Sequence, residues 1–307
     1  MTLALKHSSP GTRAFGARFR KAPPATTSSG GPVPGTRASG RAAHDVAMLA
    51  ARGVAYRVGR HTLVEDIDVE VVPGRVTAVL GPNGAGKSSL LNVLTGEASP
   101  SAGHMTLNGA PYAAWPREEV ARQVAVLPQK STLSFPFTAL EVVMMGRIPH
   151  SSGHARDLDI ALECLKEAGC AHLAERSFPV LSGGEQQRVQ LARVLAQIYS
   201  DAAKPLASAR YLLLDEPTAA LDPAHQQLTL EIARRQAALG LGVLVILHDL
   251  NLAARYADHV LLLQNGRCIA CGETETVLED RRLSELYQLP MRVIDHPTRS
   301  HKLVVSC

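Results

Sequence analysis

Two glycine-rich runs and one pair of acids carry the chemistry legible in this chain. Gly81-Pro82-Asn83-Gly84-Ala85-Gly86-Lys87-Ser88 has the spacing of a phosphate-binding loop, followed through Ser89 by the apolar-spaced Leu90, Leu91 and Leu94. Glycines at these places let backbone N–H groups turn inward around a β-phosphate, and the helix behind them adds its positive end. Lys87 would neutralise β- and γ-phosphate charge, and Ser88 would ligate Mg2+. Downstream, the apolar run Tyr211 to Leu214 ends in Asp215-Glu216-Pro217. Two adjacent carboxylates repel unless they divide their roles, so Asp215 is expected to hold Mg2+ through water and Glu216 to accept a hydrogen bond from the attacking water. His248 ends the run Gly242 to Leu247 and could contact a γ-phosphate. A lone histidine at a strand end is more often structural, so its role leans on the motifs around it.

The second glycine run is Leu181-Ser182-Gly183-Gly184-Glu185-Gln186-Gln187-Arg188. Ser182 with Glu185 three residues on has the form of a capping box, yet Gly183 and Gly184 are poor residues for a first helical turn. Bare N–H groups at a helix start suit phosphate, so something is expected to approach that backbone closely. The first loop already surrounds its own nucleotide. The serine and glycines are therefore read as gripping a nucleotide held by another subunit, which implies a head-to-tail dimer with two shared sites.

The elements that must position these groups follow from periodicity and punctuation. Short β-rich runs occur at Val54 to Val58 and Ile67 to Val72, and Arg75 to Leu80 reads as a buried parallel strand ending in glycine. A mainly helical segment spans about Leu133 to Leu173, after which apolar strands return at Tyr211 to Leu214, Gly242 to Leu247 and Val260 to Leu263. Asp222 before Pro223 reads as a helix cap and first-turn pair closed by Gly240, and Asp249 as the cap of a helix running to about Ala257. Alternation of helices with these strands predicts an α/β fold with a mostly parallel sheet.

Composition bounds the function classes. The formal charge is +4, but seven of the 32 basic residues precede the first acid, Asp45. The folded remainder is close to neutral and offers no basic patch for nucleic acid. Residues 1–46 are rich in Pro, Gly, Ser, Thr, Ala and Arg without apolar periodicity, so a disordered basic extension is expected there, with Met48 an alternative start. No apolar run approaches the ~20 residues that cross a bilayer, so a membrane role must pass through a partner. The five cysteines lack a framework spacing, and Cys268-Ile-Ala-Cys271, on an expected hairpin strand after Asn265-Gly266, is read as ordinary packing rather than a zinc or redox site.

Together these motifs resemble the nucleotide-binding subunits of ABC transporters over residues 48 to 295. The resemblance implies a P-loop NTPase of ABC type in residues 47–300: a mostly parallel sheet core, an antiparallel β subdomain and a helical subdomain at about 131–180. It places Tyr56 at the aromatic that stacks on adenine and Gln129 at the residue linking Mg2+ and water to the permease contact. Leu181 to Gln187, with Gln186, matches the signature; Asp222 the loop that crosses the dimer interface; His248 the switch histidine. It further implies ATP and Mg2+, a homodimer, two transmembrane permease subunits, an indirect periplasmic substrate-binding protein, and a peripheral place on the cytoplasmic face of the inner membrane. The stretch Ser134 to His150 is similar to the ATPases serving iron-chelate, haem and cobalamin importers, and the insert Tyr199 to Arg210 and the strand-like tail after Pro290 are similar to those of hemin importers. Ferric-siderophore or cobalamin import is the alternative cargo, and a non-transport ABC ATPase the alternative class. The latter would show tandem nucleotide domains or a coiled-coil insertion, and a regulatory module without turnover would lack Glu216 or His248. Two positions depart from the family pattern: Arg75 stands where Glu is usual, and Ala219 where Ser is common.

Overall fold

A computed structural model describes residues 47–129, 133, 135–199, 208–219 and 221–307. The expected basic extension 1–46, positions 200–207 of the insert, and Ser134 lie outside the described residues. In chain order the elements are β1 (Leu49–Val58), β2 (His61–Val71), β3 (Val76–Leu80), α1 (Lys87–Leu94), β4 (Ala102–Leu107), β5 (Ala110–Pro111), α2 (Arg117–Gln123) and β6 (Val124–Leu127). Then come α3 (Ala139–Met145), α4 (His154–Glu167), α5 (Gly183–Gln197), β7 (Tyr211–Asp215), α6 (Pro223–Ala238), β8 (Gly242–Ile246) and α7 (Leu250–Tyr256). The chain finishes with β9 (His259–Gln264), β10 (Arg267–Glu273), α8 (Thr274–Val277), α9 (Asp280–Tyr287), β11 (Met291–Asp295) and β12 (Lys302–Ser306).

Strands β3, β7 and β8 are buried at every residue, which is why their sequences read as nearly continuous apolar runs, broken only by Thr77 and the terminal Asp215, rather than alternating ones. They form the centre of a sheet of order β10-β9-β3-β8-β7-β6, parallel throughout except for the antiparallel edge strand β10. In register, Leu127 pairs with Leu214, Asp215 with Ile246, and Val79 also with Ile246. The residues after these strand ends, Gln129, Glu216, His248 and the loop from Gly81, are thereby delivered to one sheet edge, where open α/β sheets bind ligands.

A second, antiparallel sheet of order β2-β1-β4-β5 covers one face. In β2 the buried residues Val64, Ile67, Val69 and Val71 pack against Val79, Leu213, Leu244 and α1 in one core. The other face of the central sheet meets α3 to α7 in a larger core. Each fully buried Leu, Val or Ile contributes roughly 1.5–3 kcal/mol, so these two cores fix the strand ends firmly. Helix α5, the helix expected to open at Ser182, packs against both α3 and α4.

Helix punctuation matches its sequence signals. Asp222 Oδ1 accepts from His225 N at 2.9 Å with Pro223 at the start of α6, and Asp249 Oδ1 accepts from Asn251 N at 2.7 Å and Leu252 N at 3.1 Å at the start of α7. The tail after Pro290 is an antiparallel hairpin, β11 with β12. Asn251, three residues past His248, pins it: its side chain accepts from Val304 N at 2.7 Å and donates to Val304 O at 3.1 Å.

Candidate functional site

The loop Gly81–Ser88 joins β3 to α1 and curls through left-handed backbone at Gly84 and Gly86, with φ of 78° and 99°. Gly86 is a close approach as well, because a Cβ there would sit 2.6 Å from the carbonyl oxygen of Leu63. Lys87 is buried, and its Nζ donates to Gly81 O at 2.8 Å and Pro82 O at 3.1 Å. Burial pulls its ammonium below the ordinary lysine range, against the opposing pull of Glu216 and Asp215. A cavity of about 430 Å³ opens over the loop, walled by Asn83 to Ser89, Glu216, Thr62, Leu63, Asn265 and Gly266.

At the end of β7, Asp215 is buried, and burial pushes its carboxyl above the usual aspartate range, with the neighbouring Glu216 adding to the effect. A hydrogen bond from Ser88 and the charges of Lys87 and His248 pull the other way. Asp215 Oδ1 is buried with no hydrogen-bond partner. A carboxylate oxygen left this way is costly, and with the Ser88 hydroxyl beside it the pair offers the hard oxygen donors that Mg2+ prefers. The residues present fit that cation.

Glu216 adopts left-handed backbone, φ 48°, unusual for a non-glycine residue. Its carboxylate is held at both oxygens: Gln129 Nε2 donates to Oε2 at 2.5 Å, and His248 Nε2 lies 2.5 Å from Oε1. The structure thus brings Gln129, Glu216 and His248 into one hydrogen-bonded group beside the phosphate loop. Such an arrangement orients a carboxylate as a proton acceptor at the mouth of the cavity.

The second glycine run lies elsewhere. Ser182 caps α5 in a complete box, its Oγ accepting from Glu185 N at 3.4 Å while Glu185 Oε2 accepts from Ser182 N at 2.8 Å. Gln186 turns inward, donating to Phe178 O at 3.2 Å and Leu181 O at 3.1 Å. Ser182, Gly183, Gly184 and Gln186 line no part of the phosphate-loop cavity. A Cβ on the exposed Gly183 would meet nothing within 4 Å, and its φ is not left-handed. Among the described residues no group approaches the place of its missing Cβ, so the close approach expected from sequence is not made by them. Tyr56, half-buried on β1 opposite Val64, also lies outside the walls of that cavity.

A profile of the family described as ABC transporter matches residues 64–219, a span that contains the phosphate loop, Gln129, the second glycine run and the acid pair. The chain belongs to this family. As an ABC transporter ATPase it is 50% identical over 259 residues to the Hemin import ATP-binding protein HmuV of Pseudomonas entomophila, covering 84% of this chain and all of that protein. It is 50% identical to the protein of the same name in Gloeobacter violaceus, covering 84% and 94%, and 48% identical to that of Myxococcus xanthus, covering 84% and 96%. Among solved structures, an inward-facing ABC transporter of the metal-chelate type matches with a TM-score of 0.71 at 27% identity, over 85% of this chain and 98% of that one. An ATP-binding cassette of an ABC transporter in its ADP conformation matches with a TM-score of 0.67 at 25% identity, over 79% and 98%. The ABC ATPase fold expected from sequence is the fold observed, and the chain binds nucleotide and works with a membrane permease. No helix among the described residues is long and apolar enough to cross a membrane.

Sequence reasoning missed two parts of this ATPase's site. Thr62, Leu63, Asn265 and Gly266 wall the cavity because Gly266 N donates to Ala85 O at 3.0 Å and Glu65 N to Gly266 O at 2.8 Å, clamping the loop between two hairpins. The Asn265-Gly266 turn was visible in sequence, but its contact with the phosphate loop was not. Gln187 was read as part of the signature alone, yet it reaches the backbone beyond Glu216.

Proposed function

We propose that this ATPase dimerises head to tail on ATP and Mg2+ and drives the import of haem through a separate permease. The observation that carries the dimer is Gly183: an exposed glycine whose φ needs no glycine and whose missing Cβ leaves space on its own chain is explained by a ligand from a second chain. In this reading backbone N–H groups of the loop Gly81 to Ser89 wrap the β-phosphate, Lys87 neutralises β- and γ-phosphate charge, and Tyr56 stacks on adenine. Ser88, Asp215 and Gln129 would hold Mg2+, partly through water, and the ion would supply Lewis-acid stabilisation of phosphate charge.

Glu216 orients a water in line with the γ-phosphorus and takes up its proton as the new P–O bond forms and the bond to ADP breaks. His248 steadies the γ-phosphate side and the carboxylate of Glu216. Ser182, Gly183 and Gly184 face the nucleotide bound by the partner subunit, with Gln186 bracing their turn through its bonds to Phe178 O and Leu181 O, and Asp222 belongs to the crossing loop between the two sites. The Gln129–His150 region is where two permease subunits dock, which sets the ATPase peripherally on the cytoplasmic face of the inner membrane, with a periplasmic binding protein acting from the far side. Near 50% identity to proteins named for hemin import, over their whole length, favours haem over ferric siderophores or cobalamin as cargo. The test is ATP hydrolysis by the complex with its permease. Haem delivered by a binding protein is expected to stimulate turnover, and stimulation by a ferric siderophore with none by haem would overturn the cargo.

A further inference from the structure

Helix α5 starts at the turn Ser182–Gly184 and carries four glutamines, and three of them bond away from the acid strand. Gln186 folds back on Phe178 and Leu181, Gln190 accepts from Arg193 Nε, and Gln197 reaches Ala121 O and Val124 O. Gln187 alone crosses to the exit of β7. Its Nε2 donates to Pro217 O at 2.8 Å and sits 3.5 Å from Glu216 O, which also accepts from Ala219 N at 3.2 Å. The left-handed φ of 48° at Glu216 is a conformation that persists only where its surroundings impose it. The carbonyl of that strained residue itself and the carbonyl of the next, Pro217, are what the Gln187 amide grips. Its other polar atom, Oε1, is buried and has no hydrogen-bond partner among the described residues.

We propose that Gln187 is a positioning residue that couples the Ser182–Gly184 turn to Glu216 within one chain, by fixing the backbone from which the carboxylate is aimed. The inference rests on Glu216 acting as the general base and on the turn contacting a partner's nucleotide. A shift of α5 when that nucleotide arrives is then transmitted through one side chain to the aim of the base at the other active site of the dimer. Gln187 touches no reacting atom, so its removal spares nucleotide binding and lowers the chemical step.

The test compares full chains, with their permease, carrying Gln187→Met, Gln187→Glu or Glu216→Gln. Met keeps the length without the donor, and Glu turns an acceptor toward two carbonyl oxygens. Turnover is expected to fall about tenfold or more in Gln187→Met and further in Gln187→Glu, as misaimed groups do, while the KM for ATP stays within about twofold. If Gln187→Met melts early, Gln187→Asn, which keeps the amide on a shorter arm, is measured in its place with the same expectation. ATP-driven dimerisation of Glu216→Gln is expected to be unchanged by adding Gln187→Met. Parental turnover in Gln187→Met beside an inactive Glu216→Gln would overturn the coupling alone, as would a KM that rises in step with the loss of kcat. Near-parental hydrolysis by Glu216→Gln would overturn the base assignment, and the coupling with it.

Discussion

At the scale of single residues the site is under opposed electrostatic demands. Burial disfavours both the carboxylate of Asp215 and the ammonium of Lys87, while each favours the charge of the other. For Asp215 the folded-state pKa lies above the unfolded one, so stability declines as pH rises from the ordinary aspartate range through the raised value. For Lys87 the folded-state pKa lies below the unfolded one, so its penalty is present at lower pH and is recovered as pH rises through the lowered value toward the ordinary lysine range. With both groups charged the site costs stability, which the proposed Mg2+–nucleotide would offset. Asp215→Asn is therefore expected to raise the melting temperature of the nucleotide-free protein, because the amide carries no charge to desolvate. The same substitution is expected to lower ATP turnover on the order of 100-fold and to erase the Mg2+-dependent rise in melting temperature. Thermal scans with and without Mg2+–ATP read both effects, and an unchanged or lower melting temperature of the free protein would contradict the sign.

Among the elements, those that carry the chemistry were legible because local sequence and final environment agree. The runs at Val76–Leu80, Tyr211–Asp215 and Gly242–Ile246 are apolar but for Thr77 and the terminal Asp215 because they are buried on both faces, and the caps Ser182, Asp222 and Asp249 bond the N–H groups their types foretell. What stayed hidden depends on distant chain. Nothing near Leu63 announces that its carbonyl would press on Gly86, and nothing near Gln187 announces the carbonyl of Pro217. The short strands β4, β5 and β6 lack strong periodicity and exist because the sheet edges beside them need partners. Helix α5 itself gives a clean test of what Ser182 does apart from any ligand. Ser182→Ala opens the capping box and is expected to cost about 1 kcal/mol of stability in the isolated protein, measured by denaturant unfolding. Nucleotide binding to the monomer is expected to persist, since Ser182 lines no part of the phosphate-loop cavity. A large loss of monomer ATP affinity would place the serine in the wrong site.

The whole molecule raises the question of where one catalytic unit ends. The phosphate loop, Gln129, Glu216 and His248 share one edge of one sheet, yet the turn at Ser182–Gly184 lines no part of the loop's cavity and carries an uncrowded glycine. In a two-fold dimer each site then draws its loop from one chain and its turn from the other, and that division can be tested by complementation. Lys87→Ala disables a chain's loop but leaves its turn, whereas Ser182→Phe blocks the turn and leaves the loop. Neither variant alone is expected to hydrolyse ATP at an appreciable rate, because every site in either homodimer lacks one half. Mixed in equal amounts, half of the dimers pair the two variants, and each mixed dimer rebuilds one whole site out of two. Turnover is therefore expected to recover to about a quarter of the parental rate at most, rising and falling with the mixing ratio. A site completed within one chain predicts a different outcome: the mixture stays at the summed rate of its parts at every ratio.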